Sequence, residues 1–173
     1  MRRLCWLALL AAPAPLAGAG LTVTKTTSVV ADGINLANPK ALPGATLAAA
    51  VLVVSPLGNG LAAIGGVTVV DTISTSVKLR VADLGVGGSG PVEFADGNLL
   101  GLGLLGSGLG FRFTSLASTS DGVDFSTDGV TWTYQPVADA AGYDANVRAI
   151  RVRLTGTQTV GSGFRLRYRV AIR

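Results

Sequence analysis

The stretch "GFRLRYRVAIR" (Gly163–Arg173) decides the fold class, because apolar and basic residues alternate along it. The apolar positions are Phe164, Leu166, Tyr168 and Val170, and the basic positions between them are Arg165, Arg167 and Arg169. Successive side chains of a β-strand point to opposite faces, so this pattern sends one face to a core and a row of arginines to water. The stretch therefore predicts a strand that is buried on one face.

The same alternation occurs in "VRAIRVRLTG" (Val147–Gly156), where Arg151 and Arg153 separate apolar residues. The connecting segment "TGTQTVGSG" is rich in turn residues and predicts that the two strands form a hairpin. Gly and Pro interrupt the rest of the chain at intervals of about eight to twelve residues, which is typical of an all-β sandwich or barrel. The predicted strands are Leu21–Thr27, Thr46–Val54, Gly66–Thr72, Ser76–Ala82, Pro91–Ala95, Gly110–Leu116, Gly122–Ser126, Val130–Pro136, Val147–Gly156 and Gly163–Arg173.

Residues 1–19 have the three parts of a secretory signal peptide. Arg2 and Arg3 form a positive segment, an apolar run extends from Leu4 to Ala12, and small residues precede a cleavage point after Ala19. The apolar run is shorter than the roughly 20 residues that a membrane-spanning helix needs. We therefore expect export to the periplasm, the cell surface or the exterior, no transmembrane anchor, and one domain over residues 20–173.

The composition of residues 20–173 excludes several classes of function. Of the fourteen basic residues, twelve remain after Arg2 and Arg3 are removed, and ten acidic residues balance them too closely to predict nucleic-acid binding. The chain has no His, and its single Cys, Cys5, lies in the predicted signal peptide. Serine–histidine triads, thiol nucleophiles and His or Cys metal sites are thereby excluded, so we predict no catalytic site and no cofactor.

Three motifs resemble the bacterial conserved-repeat domains labelled DUF11. The first strand carries Val23-Thr24-Lys25, a turn reads "NPKALPGA" from Asn38 to Ala45, and "VVDTI" runs from Val69 to Ile73. The resemblance implies an immunoglobulin-like β-sandwich with Greek-key connections and about eight to ten strands. It also implies a secreted structural or adhesive module of the cell surface.

The strand after that turn, "TLAAAVLVV" (Thr46–Val54), is apolar on both faces. Its second face consists of Ala48, Ala50, Leu52 and Val54, where a strand half-open to water would carry polar residues. We expect this face to be covered, either by the Gly/Leu run of residues 97–110 or by a partner. The four residues are therefore a candidate interaction face for a second copy of the chain or for another surface protein.

The segment "STDGVTW" (Ser126–Trp132) resembles the Asp-box of sialidase-like proteins but is one residue short. The resemblance implies that Asp128 caps a turn, and the Asp-Gly pair itself predicts a hairpin. Trp132 and Tyr134 fall on one strand face, where they either belong to the core or form a stacking platform for carbohydrate. Asp121, Asp124 and Asp128 either cap turns or gather around Ca²⁺.

Seven arginines and no acidic residue follow Asp144. The arginine rows predict either a surface for anionic polysaccharide or solvated strand faces whose charge protects a sheet edge from aggregation. The sequence as a whole predicts an exported, non-catalytic structural or interaction module that self-associates or binds other surface components. The alternative is a carbohydrate-binding domain that uses Trp132 and Tyr134.

Overall fold

Two layers of antiparallel β-strands form the fold in a computed structural model that describes residues 20–35, 37–98 and 106–173. The prediction of an all-β sandwich is confirmed. The predicted signal peptide (residues 1–19) and most of the Gly/Leu run (residues 99–105) lie outside the described residues. Within the described ranges, no helix is long and apolar enough to cross a membrane.

The described residues form twelve strands and one short 3₁₀ helix, Leu57–Asn59. The strands are β1 (Thr22–Ala31), β2 (Thr46–Val54), β3 (Ile64–Gly65), β4 (Thr68–Thr72), β5 (Val77–Arg80), β6 (Glu93–Asn98), β7 (Leu109–Gly110), β8 (Val123–Ser126), β9 (Tyr143–Asp144), β10 (Ala149–Arg153), β11 (Thr155–Gln158) and β12 (Ser162–Ile172). Three of them, β3, β7 and β9, span only two residues, and the count therefore exceeds the eight to ten strands expected.

The large sheet is built around β12, which is its central strand. One edge of β12 pairs with β2 from Gly163 to Ala171, and β2 pairs in turn with β1. The other edge pairs with β6 along its first half and with β5 along its second half, and β9 follows β5. The strand with the clearest alternation in the sequence is thus hydrogen-bonded on both edges.

The second layer consists of two three-stranded sheets, β4-β10-β8 and β3-β11-β7. Only Leu154 separates β10 from β11, and its N–H donates to the carbonyl oxygen of Val67 at 3.0 Å. The core lies between the layers. It includes Val51, Val53, Leu79, Phe125, Ile150, Val152, Phe164, Leu166 and Tyr168.

The hairpin predicted between the last two long strands is wrong. β10 pairs with β4 and β8, whereas β12 pairs with β2, β5 and β6, so the chain crosses from one layer to the other after β11. The apolar faces of both strands contribute to one core cluster. Placing the strands in opposite layers lets those faces cover each other, which a hairpin within one sheet would not do.

Two other predicted strands are mostly loop. Gly110–Leu116 keeps strand structure only at Gly110, and Val130–Pro136 only in an isolated bridge between Tyr134 and Phe125. Acidic side chains hold these segments in turns. Asp121 Oδ2, for example, accepts the N–H of Thr114 at 2.8 Å, so that donor is not available to a neighbouring strand.

A polar link joins the two layers beside the core. Asp71 of β4 accepts a hydrogen bond from the Tyr168 hydroxyl at 2.7 Å and pairs with Lys25 of β1 at 2.7 Å. Burial raises the pKa of the Tyr168 hydroxyl above its usual value, and the neighbouring Asp71 carboxylate raises it further. The tyrosine therefore stays a hydrogen-bond donor to Asp71 at neutral pH.

Candidate interaction surface

The outward side of the large sheet carries the candidate interaction face. Directly paired residues of antiparallel strands share a face, so the register fixes which side chains stand together. β1 contributes the hydroxyl row Thr22, Thr24, Thr26 and Ser28; β2 contributes Ala48, Ala50, Leu52 and Val54; and β12 contributes the arginine row Arg165, Arg167 and Arg169. We call this side of the large sheet the outer face.

The four apolar residues of β2 lie between those two rows, and each is half-buried. Leu52, for example, is paired with Thr24 on one side and with Arg165 on the other. Long arginine side chains cover neighbouring apolar surface with their aliphatic stems while the guanidinium stays in water. The neighbouring rows therefore provide part of the cover that was expected from the Gly/Leu run or from a partner.

The arginine row is exposed and only partly neutralised. Arg167 forms an ion pair with Glu93, its partner across the register on β6. In the part of the chain that the structure describes, Arg165 and Arg169 have no carboxylate within ion-pair distance. Alternate residues of a strand are about 7 Å apart, so the three guanidiniums form a short, evenly spaced line.

Two further cations stand at the β5 end of the outer face. Lys78 is paired with Ala171 of β12, and Arg80 points the same way two residues later. Both lie over the ring of Tyr143, whose hydroxyl is 3.2 Å from the Thr46 hydroxyl. Asp139 accepts a hydrogen bond from Lys78 at 2.7 Å, and this contact lowers the pKa of the Asp139 carboxyl.

An open groove crosses the arginine row at Arg167 and Arg169. Its volume is about 360 Å³, and it is lined by Val30, Ala48, Leu84, Glu93, Arg167 and Arg169, together with part of Tyr168. This volume lies at the lower end of the range of roughly 300–1,000 Å³ for small-molecule sites. The groove brings two guanidiniums of β12 together with apolar side chains on both sides of that strand and with the Glu93 carboxylate.

The arginines of β10 have a different environment, although their sequence pattern is the same. Arg151 Nε donates to Asp124 at 2.8 Å and Arg153 Nη2 donates to it at 3.0 Å. Arg153 also donates to the carbonyl oxygens of Thr119 and Asp121. The Asp124 side chain is only 4% exposed, so this arginine row is part of the structure of the second layer.

Trp132 and Tyr134 are half-buried and line the same small cleft. The Arg151 guanidinium lies over the indole of Trp132, 4.7 Å from the ring centroid. The Tyr134 hydroxyl donates to Asp144 at 2.9 Å, and burial raises the pKa of this hydroxyl. The cleft holds about 10 Å³, which is room for one water molecule.

The three aspartates considered for Ca²⁺ do not converge. Asp121 accepts backbone N–H groups of Thr114 and Val123, and Asp124 binds the two arginines of β10. Asp128 accepts the N–H groups of Thr131 at 2.7 Å and Val130 at 2.8 Å, and these bonds lower its pKa far below the usual range. Within residues 20–35, 37–98 and 106–173, no group of three His, Cys, Asp or Glu side chains is placed to hold a metal ion.

The apolar row and the arginine rows are both recognisable in the sequence, but their position on a single face is not. Nor does the sequence indicate that Glu93, Lys78 and Arg80 lie beside them. No local signal connects these residues with β12, because their proximity results from pairing between strands that are distant in the sequence.

Comparisons with known proteins return no match: no protein-family model, no curated protein and no solved structure is similar to the chain. The resemblance to the conserved-repeat domains therefore stays a prediction based on the three motifs.

Proposed function

We propose that the chain is an exported structural and interaction module of the bacterial cell surface, without catalytic activity, that contacts its partner through the outer face of the large sheet. The observation that carries the proposal is the composition of this face. A row of half-buried apolar residues, Ala48, Ala50, Leu52 and Val54, lies at its centre, with hydroxyl and guanidinium groups on either side. An apolar centre with a polar rim is typical of protein interaction surfaces.

The contacts of the buried acidic residues support a non-catalytic role. Asp121, Asp124 and Asp144 are buried, and each accepts hydrogen bonds that hold a turn or an arginine in place. A general acid or base needs a proton that it can exchange with a substrate. Carboxylates committed to turn donors and guanidiniums are better suited to stabilising the fold.

The charge of the outer face bears on the choice between a second copy and a foreign partner. Two copies stacked through this face around a two-fold axis would bring identical surfaces together. The arginine rows of the two copies would then approach each other, and Glu93 is the only β6 carboxylate that is paired with one of these arginines. Like charges in contact disfavour association, so we expect a partner that carries negative charge.

The proposal is tested with Leu52→Thr and a matched control, Val70→Thr, on the outward side of the second layer. Val70 is 53% exposed, and Leu52 is half-buried, so both variants should fold and melt within a few degrees of the wild type. We expect the wild type and Val70→Thr to be retained with the cell envelope of producing cells and Leu52→Thr to be released. Equal retention of all three proteins, or recovery of the wild type in the cytoplasm, would contradict the proposal.

Sedimentation velocity at increasing concentration tests the type of partner. We expect a monomer throughout, because the outer face repels its own copy. Association that Leu52→Thr abolishes would instead assign the face to a second copy. The carbohydrate-binding alternative is tested by the fluorescence of Trp132, the single Trp of residues 20–173: a shift on adding neutral oligosaccharides would favour it, and an unchanged spectrum would remove it.

A further inference from the structure

We propose that the outer face binds an extended anionic polysaccharide, with Arg165 and Arg169 contacting its carboxylate or sulfate groups. This inference rests on the proposed interaction role of the face and names the chemical class of its partner. Three observations carry it: the distribution of charge over the molecule, the central position of β12, and the groove that crosses the arginine row.

The positive charge of residues 20–173 is concentrated on the outer face. It carries five cations, Arg165, Arg167, Arg169, Lys78 and Arg80, and two carboxylates that pair with them, Glu93 and Asp139. The other charged residues of this range are seven basic and eight acidic, so the remaining surface is close to neutral. Asp83 follows β5, and its carboxylate accepts the N–H groups of Gly88 and Gly90 and interacts with the charge of Arg80. The β5 end of the outer face is therefore less positive than the arginine row.

Protection of a sheet edge does not explain the arginine row. Charged side chains on edge strands prevent a second chain from pairing with the exposed backbone. β12 is not an edge strand, since β2 pairs along one side and β6 and β5 pair along the other, with a gap only at Tyr168 and Arg169. A line of like charges on a central strand repels itself, and Glu93 relieves this repulsion only at Arg167. An anionic ligand would neutralise the two remaining guanidiniums.

The groove gives the ligand a place to lie. Its apolar residues Val30, Ala48 and Leu84 match the C–H surface of a sugar ring, and Arg167 and Arg169 lie between them on β12. The hydroxyl row of β1 adds hydrogen-bonding groups across the sheet. Arg165 lies outside the groove, so an extended polymer that continues along the strand direction meets all three guanidiniums, whereas a single anionic sugar in the groove reaches only Arg167 and Arg169.

Two other polyanions fit this face less well. Single-stranded nucleic acid binds by stacking bases on exposed aromatic rings, and the one aromatic ring placed on the outer face among the described residues, Tyr143, is buried beneath Lys78 and Arg80. A membrane surface is bound by apolar side chains that protrude into it together with basic ones. Of the large apolar side chains that are exposed among the described residues, only Val30 borders the groove, and the apolar row of β2 is half-buried.

The inference is tested with the protein of residues 20–173 and four immobilised probes: heparin, polygalacturonate, neutral dextran, and vesicles of phosphatidylglycerol and phosphatidylcholine. The variant Arg165→Gln/Arg169→Gln removes the two unpaired cations but keeps long side chains over the apolar row. Its matched control, Lys40→Gln/Arg112→Gln, removes the same charge from exposed positions elsewhere. Thermal unfolding of both variants first verifies that they are folded.

We expect the wild type to bind heparin and polygalacturonate but not dextran, and to elute as the salt concentration rises, because salt screens exposed charges. Arg165→Gln/Arg169→Gln should bind roughly three- to tenfold more weakly, since exposed ion pairs are individually modest, and the control should bind as the wild type does. Glu93→Gln frees Arg167 and should bind more tightly. Asp128→Asn, which changes the net charge equally at a distant turn, should not.

Equal weakening in both double variants would mean that net charge alone drives binding and would overturn the inference. Binding to vesicles without binding to either polysaccharide would assign the face to a membrane and would also overturn it. The two proposals fail separately. If Leu52→Thr releases the protein from the envelope while neither polysaccharide binds, the interaction role stands and only the class of partner is wrong.

Discussion

Asp124 provides a test of how the second layer is held together, and the perturbation is Asp124→Asn. The carboxylate is 4% exposed, Arg151 donates to one of its oxygens at 2.8 Å, and Arg153 donates to the other at 3.0 Å. An amide in its place has one acceptor fewer, and its NH₂ group faces guanidinium donors. The variant therefore leaves two neighbouring cations without a counter-charge.

The size of the effect follows from the exposure of the partners. Removing one member of a buried ion pair costs about 3–5 kcal/mol when the remaining charge is fully desolvated. The side chains of Arg151 and Arg153 are 28% and 40% exposed and recover some hydration, so we expect a smaller loss, about 2–3 kcal/mol. For a domain of this length, 1 kcal/mol corresponds to about 2–4 °C, and the melting temperature should fall by about 4–12 °C.

Urea unfolding followed by Trp132 fluorescence measures this loss directly, because Arg151 lies over the indole and the probe reports on the same region. Asp96→Asn is the matched control: Asp96 is exposed and accepts one backbone N–H, which an amide oxygen also accepts, so the loss should stay below about 0.5 kcal/mol. In the Asp124→Asn background, Arg153→Gln should cost less than in the wild type, because the pair is already broken. A loss for Asp124→Asn as small as that of the control would refute the account.

Three more predictions concern turns and the polar link between the layers. Gly156→Ala places a Cβ 2.4 Å from the carbonyl oxygen of Gly108 at a φ of 85°; this clash adds to the strain of the left-handed conformation, so the free energy of unfolding should fall by about 2 kcal/mol or more. In Gly129→Ala, at a φ of 77°, the added Cβ has no atom within 4 Å, so the loss should be only about 1–2 kcal/mol. Equal losses of the two variants in urea unfolding would contradict the clash. Backbone N–H groups lower the pKa of the Asp128 carboxyl, so its contribution to stability is present above the unfolded pKa, near 4, and is lost as the pH falls. The wild type should therefore lose more stability than Asp128→Asn between pH 4 and pH 2. Parallel curves of unfolding free energy against pH would contradict this. Burial raises the pKa of the Tyr168 hydroxyl, so its contribution to stability is full below pH 10 and decreases above it. Tyr168→Phe should lower the free energy of unfolding by about 1.5–3 kcal/mol at pH 7. In denaturant titrations, the variant should lose less stability than the wild type between pH 10 and pH 11; equal pH dependence of the two proteins would count against the buried hydroxyl.

The strands that were predicted well are those in which burial and local pattern agree. β2 has the predicted bounds, Thr46–Val54, and β12 differs from the predicted range by one residue at each end. The alternation in β12 also places its side chains correctly: Phe164, Leu166 and Tyr168 are buried. Alternation of apolar and polar residues is a local property of the sequence, so it predicts a strand that is buried on one face without information from the rest of the chain.

The segments that were predicted wrongly have strand-forming residues but are held by distant side chains. "VTWTYQP" contains aromatic and β-branched residues throughout, yet Asp144 accepts both the Tyr134 hydroxyl and the N–H of Val137. These contacts join residues seven to ten positions apart and fix the end of the segment. At its start, Asp128 accepts the N–H groups of Val130 and Thr131, which a strand would use in a ladder. Propensity within a window of a few residues does not contain that information, so loop structure was underestimated.

The candidate interaction face depends on pairing between distant strands in the same way. The arginine rows of β10 and β12 are indistinguishable in the sequence, since each alternates with apolar residues that enter the core. Their chemistry differs because of what the register places beside them: Asp124 lies opposite Arg151, whereas Leu52 and Ala95 lie opposite Arg165. One row is thereby paired with a buried carboxylate and half-buried, and the other is left exposed on a central strand. The pairing of strands, and not the number of arginines, determines which row is free to bind an anionic partner.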